Sequence, residues 1–206
     1  MLNLDINILI ILLPLLAFSL SFHEFAHAFA AYQLGDDTAA KKGRLTLNPL
    51  AHLDLFGSIA LLFIGFGWAK PVPIDPRNFK HPNRDDIIVS SAGPLANMLL
   101  AIIAVIIIKL NLFSPGSVVY SAIWIFYRIN VILAVFNLLP FFPLDGSHVV
   151  IATLSQMNKN QIAALFQKYS SYLFLTLIVL DLALNISIFG SLIGTVTDFF
   201  DKAFLL

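Results

Sequence analysis

INILIILLPLLAFSLSFHEFAHAFAAYQL, Ile6 to Leu34, is the stretch that decides the fold. It is longer than the roughly 20 apolar residues a membrane-spanning helix needs, and its one charged residue, Glu24, sits between His23 and His27. Glu24 is also the only glutamate in the chain. The rest of the sequence agrees with a membrane reading. Of 206 residues, 59% are hydrophobic and 12% charged, where a soluble domain carries about 25% charged. The mean hydropathy is +0.88. No Lys or Arg precedes Lys41, so the segment lacks the basic start of a cleavable signal peptide and reads as a retained span.

Further apolar runs follow at Ile87 to Ile108, at Val118 to Pro140 (interrupted by Arg128) and at Tyr169 to Thr197 (interrupted by Asp181). Leu55 to Ala69 is apolar but short and Gly-punctuated, which suits a re-entrant hairpin or a tilted helix. The expected fold is an all-α polytopic membrane protein with four to six transmembrane helices. A short membrane-associated β-hairpin or re-entrant segment is expected near residues 43–69. A single domain over 1–206 is expected, with a core at about 10–155 and C-terminal hydrophobic helices at 162–206. Loops 35–54, 70–86 and 145–168 hold the Lys and Arg that, by the positive-inside tendency, belong on the cytoplasmic side. Net charge is zero, and nothing points to nucleic acid. Cysteine is absent, so a transition-metal site must use His, Asp or Glu.

On a helix, His23-Glu24-x-x-His27 puts both imidazoles on one face, one turn apart. Both can reach one Zn2+, with Glu24 near enough to take a proton from water that the metal acidifies. A buried unpaired carboxylate is costly, and such a site gives it a function. An accident of composition is the bland alternative. A catalytic zinc wants a third protein ligand, and Asp145, His148, His52, Asp54 and His81 are candidates. Asp145 follows Pro143 and precedes Gly146 in NLLPFFPLDGSHVV, Asn137 to Val150. It can be a ligand offered from an irregular turn or an N-cap for the next helix. His52 and His81 read as surface residues of polar loops.

HEFAH on a first apolar helix, GPLAN (Gly93–Asn97) opening another span and NLLPFFPLDG (Asn137–Gly146) closing a third resemble the site-2 protease family of intramembrane zinc metalloproteases. GRLTLNPLAHLDLFGS and GWAKPVPIDPRNF are similar to its small prokaryotic members, those without PDZ or CBS domains. The resemblance covers roughly residues 10–155. It implies His23, His27 and Asp145 as ligands of one zinc per chain, and Glu24 as catalytic base. It further implies cleavage of transmembrane-helix substrates in a prokaryotic cytoplasmic membrane, the active site lying nearer the cytoplasmic face.

Asn97 reads by itself as a helix–helix hydrogen bonder. The resemblance implies instead a catalytic amide that holds the substrate or the developing oxyanion. Asn137 is a weaker candidate for the same work. Gly43 to Pro49 alternates like a strand, so it is either an edge that receives unwound substrate by β-augmentation or an interfacial loop. A metal transporter or channel lined by His23, His27 and Asp145 is the principal rival reading. A membrane-anchored protease of soluble peptides and an inactive scaffold are the others.

Overall fold

The structure, a computed structural model, describes residues 6–64, 67–184 and 186–204. The expected re-entrant stretch therefore includes two residues, 65 and 66, that lie outside the described ones. Nine α-helices are described: α1 (Ile6–Gln33), α2 (Thr38–Lys41), α3 (Pro49–His52), α4 (Leu55–Ile64), α5 (Pro82–Lys109), α6 (Val118–Asn137), α7 (Asp145–Gln156), α8 (Asn160–Leu184) and α9 (Ile188–Ala203). Four segments are long and apolar enough to cross a membrane: Ile8–Gln33, Pro82–Lys109, Val118–Asn137 and Asn160–Asp181. Leu95, Leu99, Ile102, Ile103 and Ile106 all face outward from α5. A helix apolar on its outer as well as its inner face is a membrane helix.

Helices α1, α5 and α6 pack on one another; α7 lies against α5, α8 against α7, and α9 against α6. Small residues permit the close approach: Ala28 and Ala31 on α1 and Ala101 and Ala104 on α5 are all buried. Ala101, Ala104 and Val105 meet Tyr127 and Val131 of α6, and Val196, Phe200 and Phe204 close over them.

The polar residues that interrupt the apolar runs have partners. Arg128 pairs with Asp201 of α9 at 2.6 Å and lies 5.6 Å from the Trp124 ring centre. Asp181 accepts the Ile188 backbone N–H. This bond satisfies the first turn of α9 where Ser187, in the left-handed region at φ +57°, breaks the apolar run 169–197 into two helices.

No strand occurs among the described residues. The expected hairpin near 43–69 is replaced by turns, two short helices (α3 and α4) and one isolated antiparallel bridge, Leu53 to Ala69. Local bonds took the place of a ladder. Thr46 Oγ1 accepts the Asn48 N–H, and Asn48 caps α3 by accepting the Leu50 N–H at 3.1 Å. Leu45 packs toward Ala28, Ala39 and Val72. His52, expected at the surface, is fully buried and donates through Nε2 to the Thr46 carbonyl at 2.8 Å.

Asp36 ties the turn after α1 to the segment before α5. Its carboxylate accepts from the Thr38 N–H and hydroxyl, from Asn78 Nδ2 at 2.8 Å and from the Asp75 N–H at 2.8 Å. Burial pushes the Asp36 carboxyl up, but these hydrogen bonds outweigh it and hold it below the usual carboxylate range. A carboxyl lowered in the folded state stabilises at pH above its unfolded value, about 4. That contribution is lost as pH falls through the folded value. The unfolding midpoint in detergent should therefore drop on acidification below about pH 4, and Asp36→Asn should lower the neutral-pH midpoint while flattening that dependence.

Gly146, the second residue of α7, has no room for a side chain. An added Cβ would lie 2.2 Å from the Leu138 carbonyl oxygen and 2.6 Å from that of Leu139. Gly146→Ala should cost about 1–3 kcal/mol, as overpacking against rigid backbone does, read as a lower unfolding midpoint.

Candidate metal centre

α1 carries His23 and His27 one turn apart, with their Nε2 atoms 3.0 Å from each other. α7 begins at Asp145, which is thus the first helical residue and not the cap before it. Its Oδ2 lies 3.1 Å from His23 Nε2 and 3.3 Å from His27 Nε2. These are the only three His, Asp or Glu side chains among the described residues whose ligand atoms converge in this way. The other candidates have other partners. His148 Nδ1 faces Asp86 Oδ2 at 3.9 Å. Asp54 caps α4 by accepting the Gly57 N–H, and His81 donates its own N–H to Asp85.

The protons of the trio decide whether a cation fits. His27 Nδ1 donates to the Val89 carbonyl at 2.7 Å, and His23 Nδ1 donates to Asn97 Oδ1 at 2.5 Å. In a neutral imidazole the other nitrogen is then a bare lone pair. Asp145 Oδ2 is buried without a hydrogen-bond donor. With both rings neutral and protonated on Nδ1, three electron-pair donors face one another, a set that suits a cation. Their separations resemble the roughly 3.3 Å between corners of a tetrahedron with arms of about 2.0–2.1 Å, the zinc–nitrogen length.

Gly93 leaves the space. A Cβ there would stand 2.3 Å from His27 Nε2 and 2.6 Å from His23 Nε2, filling the cradle from the α5 side.

Glu24, 9% exposed, accepts the Val72 N–H through Oε2 at 2.9 Å. It lines a cavity of about 350 Å³ together with His27, Val72, Asp86, Asp145 and His148. Asn97 is not offered to that cavity. It is fully buried, and its amide nitrogen is engaged by the Ser19 carbonyl at 3.3 Å and Asn130 Oδ1 at 2.8 Å. The substrate-holding amide expected at 97 therefore has neither free protons nor access, and the residue instead backs His23. Asn137 donates to the Leu133 carbonyl of its own helix. Val72 and Asn130 carried no signal of their own in the sequence. Gly93 did: a glycine before Pro94, inside a helical apolar run, marks a close approach.

The sequence model of Peptidase family M50 matches residues 113–180, a stretch that holds Asn130 and Asp145. Three relatives bear the name "Putative zinc metalloprotease". YwhC of Bacillus subtilis is 47% identical over 141 residues, 64% of each chain. Rip2 of Mycolicibacterium smegmatis is 30% identical over 172 residues, 81% of this chain and 65% of that one. MJ0611 of Methanocaldococcus jannaschii is 32% identical over 149 residues, 72% of this chain and 73% of that one. The chain belongs to peptidase family M50, the site-2 protease family. Against YwhC and Rip2 this M50 chain spans just under two thirds of the relative's length. No solved structure matches it.

Gly93→Ala should abolish zinc uptake while leaving a folded, monodisperse protein, because the three atoms nearest the new methyl group all belong to imidazoles. Zinc per chain after purification without chelator reads this directly.

Proposed function

We propose that the chain is an intramembrane zinc metallopeptidase that hydrolyses peptide bonds within or near transmembrane helices. The observation that carries this reading is the convergence of the His23, His27 and Asp145 ligand atoms beside a buried carboxylate, part-way along a spanning helix and at a polar cavity. His23, His27 and Asp145 would hold one zinc per chain. When bound, zinc supplies Lewis acidity, which acidifies water toward a pKa of about 7 and polarises a carbonyl.

Glu24 does the proton work. Its carboxylate takes a proton from the water that attacks the scissile carbonyl carbon. It returns that proton to the amide nitrogen as the C–N bond breaks, so the amine leaves neutral. The Val72 N–H holds one carboxylate oxygen and so aims the group into the cavity. Lipid carries no water, so the cavity is the water supply. Asp86 and His148 give it a polar wall.

The surrounding reading follows from charge. The basic loops put the Asp145 end of the site toward the cytoplasmic face of a prokaryotic cytoplasmic membrane. A single domain over 1–206 holds a catalytic core at about 10–155, with the hydrophobic helices of 162–206 beside it. Residues 55–69 re-enter the bilayer from that face. In support, Leu53 pairs with Ala69 and the Lys70 N–H donates to the His52 carbonyl at 2.8 Å, so both ends of the excursion leave from one place.

Glu24→Gln should keep zinc at the wild-type level and lower the cleavage rate of reconstituted single-span substrates by at least about 100-fold. Cleavage at the wild-type rate would sink the mechanism. Zinc-dependent cation flux through vesicles, untouched by Glu24→Gln, would instead favour transport.

A further inference from the structure

Ser19, Asn97 and Asn130 are fully buried polar side chains on three different spans. Isolated in apolar surroundings each would be costly. Together they form a hydrogen-bonded chain that ends at His23, and the direction of every bond in it is forced.

The forcing begins at backbone carbonyls, which only accept. Asn130 has one amide atom 2.8 Å from the Phe126 carbonyl oxygen, so that atom is its nitrogen. The same nitrogen reaches Ser19 Oγ at 2.9 Å. Asn130 Oδ1 must then face Asn97, from which it accepts at 2.8 Å. The Asn97 nitrogen also faces the Ser19 carbonyl, at a longer 3.3 Å, a weaker contact that agrees with the orientation Asn130 sets. Asn97 Oδ1 is left facing His23 Nδ1, and that nitrogen must carry the ring proton. With no exposure at Asn97 or Asn130, no bulk solvent can substitute for a missing link.

We propose that Asn130, acting through Asn97, is a positioning residue that sets the tautomer of His23 and so keeps its Nε2 a bare lone pair for the metal. The inference rests on the metal-centre reading above. A competing state shows why such a device is needed. With its proton on Nε2, His23 would donate to Asp145 Oδ2, 3.1 Å away, and satisfy that orphaned oxygen without any metal. A reversed Asn97 amide would favour this state, because its NH2 would face Nδ1 and demand a lone pair there. Asn130 holds the amide against reversal. His27 needs no such chain, since its Nδ1 donates directly to the backbone carbonyl of Val89.

The test uses the full chain in detergent, labelled with 15N-histidine and freed of metal, at a pH where the ring is uncharged. Nitrogen chemical shifts report which ring nitrogen of His23 holds the proton, and chelator competition gives zinc affinity separately. Wild type should carry the proton on Nδ1. Asn130→Leu should move it toward Nε2 and weaken zinc about 10–100-fold. Asn97→Leu should lose both the Nδ1 proton and the zinc affinity. A wild-type proton on Nε2 overturns the proposal, as does a folded Asn130→Leu with unchanged shifts and affinity. If Asn130→Leu does not fold, a folded Asn97→Leu with the proton still on Nδ1 and unchanged zinc affinity overturns it. A wild type that takes up no zinc sinks the metal-centre reading, while the His23 shifts still decide the relay.

Discussion

The two oxygens that stand behind the imidazoles, the Val89 carbonyl and Asn97 Oδ1, are the constraint on which the geometry of the trio depends. Both histidines could bind a metal, or could satisfy Asp145 by hydrogen bonding, and the same Nε2 atoms serve either purpose. The outcome is decided behind the rings, at the Val89 carbonyl and at Asn97. That requirement brings α5 against α1, because both acceptors lie on α5. It also explains why the contact is made with a glycine: a Cβ at Gly93 would enter the space beside the two Nε2 atoms. Helix packing and ligand chemistry are therefore solved by one interface.

The third side chain of the trio arrives by a different route. α6 ends at Asn137, the chain turns through two prolines, and α7 starts with Asp145. Gly146 lets the new helix sit directly on the Leu138 and Leu139 carbonyls just past the end of α6. A carboxylate on the first residue of a helix faces the positive end of its dipole, which favours the ionised form a metal needs. The irregular backbone around it is covered by α8, where Ser170 Oγ accepts the Phe142 N–H. Such backbone is tolerated at membrane depth because protein surrounds it.

Much of this was legible in the sequence. The two histidines declared themselves by spacing, the spans by length and apolarity, and Asp145 by its place at a Pro-Gly break, with the resemblance choosing it among five candidates. The alternation in Gly43–Pro49 suggested a strand, but Asn48 and Thr46 side chains supply local acceptors that compete with any ladder, and turns resulted. Asn97 was legible as important and its work was misassigned. One residue's sequence context cannot say whether an amide faces a cavity or another amide. That depended on Asn130, 33 positions away in a helix whose packing angle no local pattern reveals. His52 failed for the same reason: its burial is created by partners, Thr46 and Arg44, that a loop brings round it.

The segment that carries Val72 behaves like a beam supported at both ends. Near one end, Arg44 donates to the Lys70 carbonyl at 2.5 Å; at the other, Asp36 accepts the Asp75 N–H. Between these supports the Val72 N–H bears on Glu24. The supports belong to the stretch that follows α1, the helix that carries Glu24 itself, so the carboxylate and the amide that aims it hang from one frame. Displacing either support tilts the beam and turns the carboxylate. A lesion at Arg44 or Asp36, neither of which lines the cavity, would therefore shift the Glu24 carboxylate while leaving His23, His27 and Asp145 where they are.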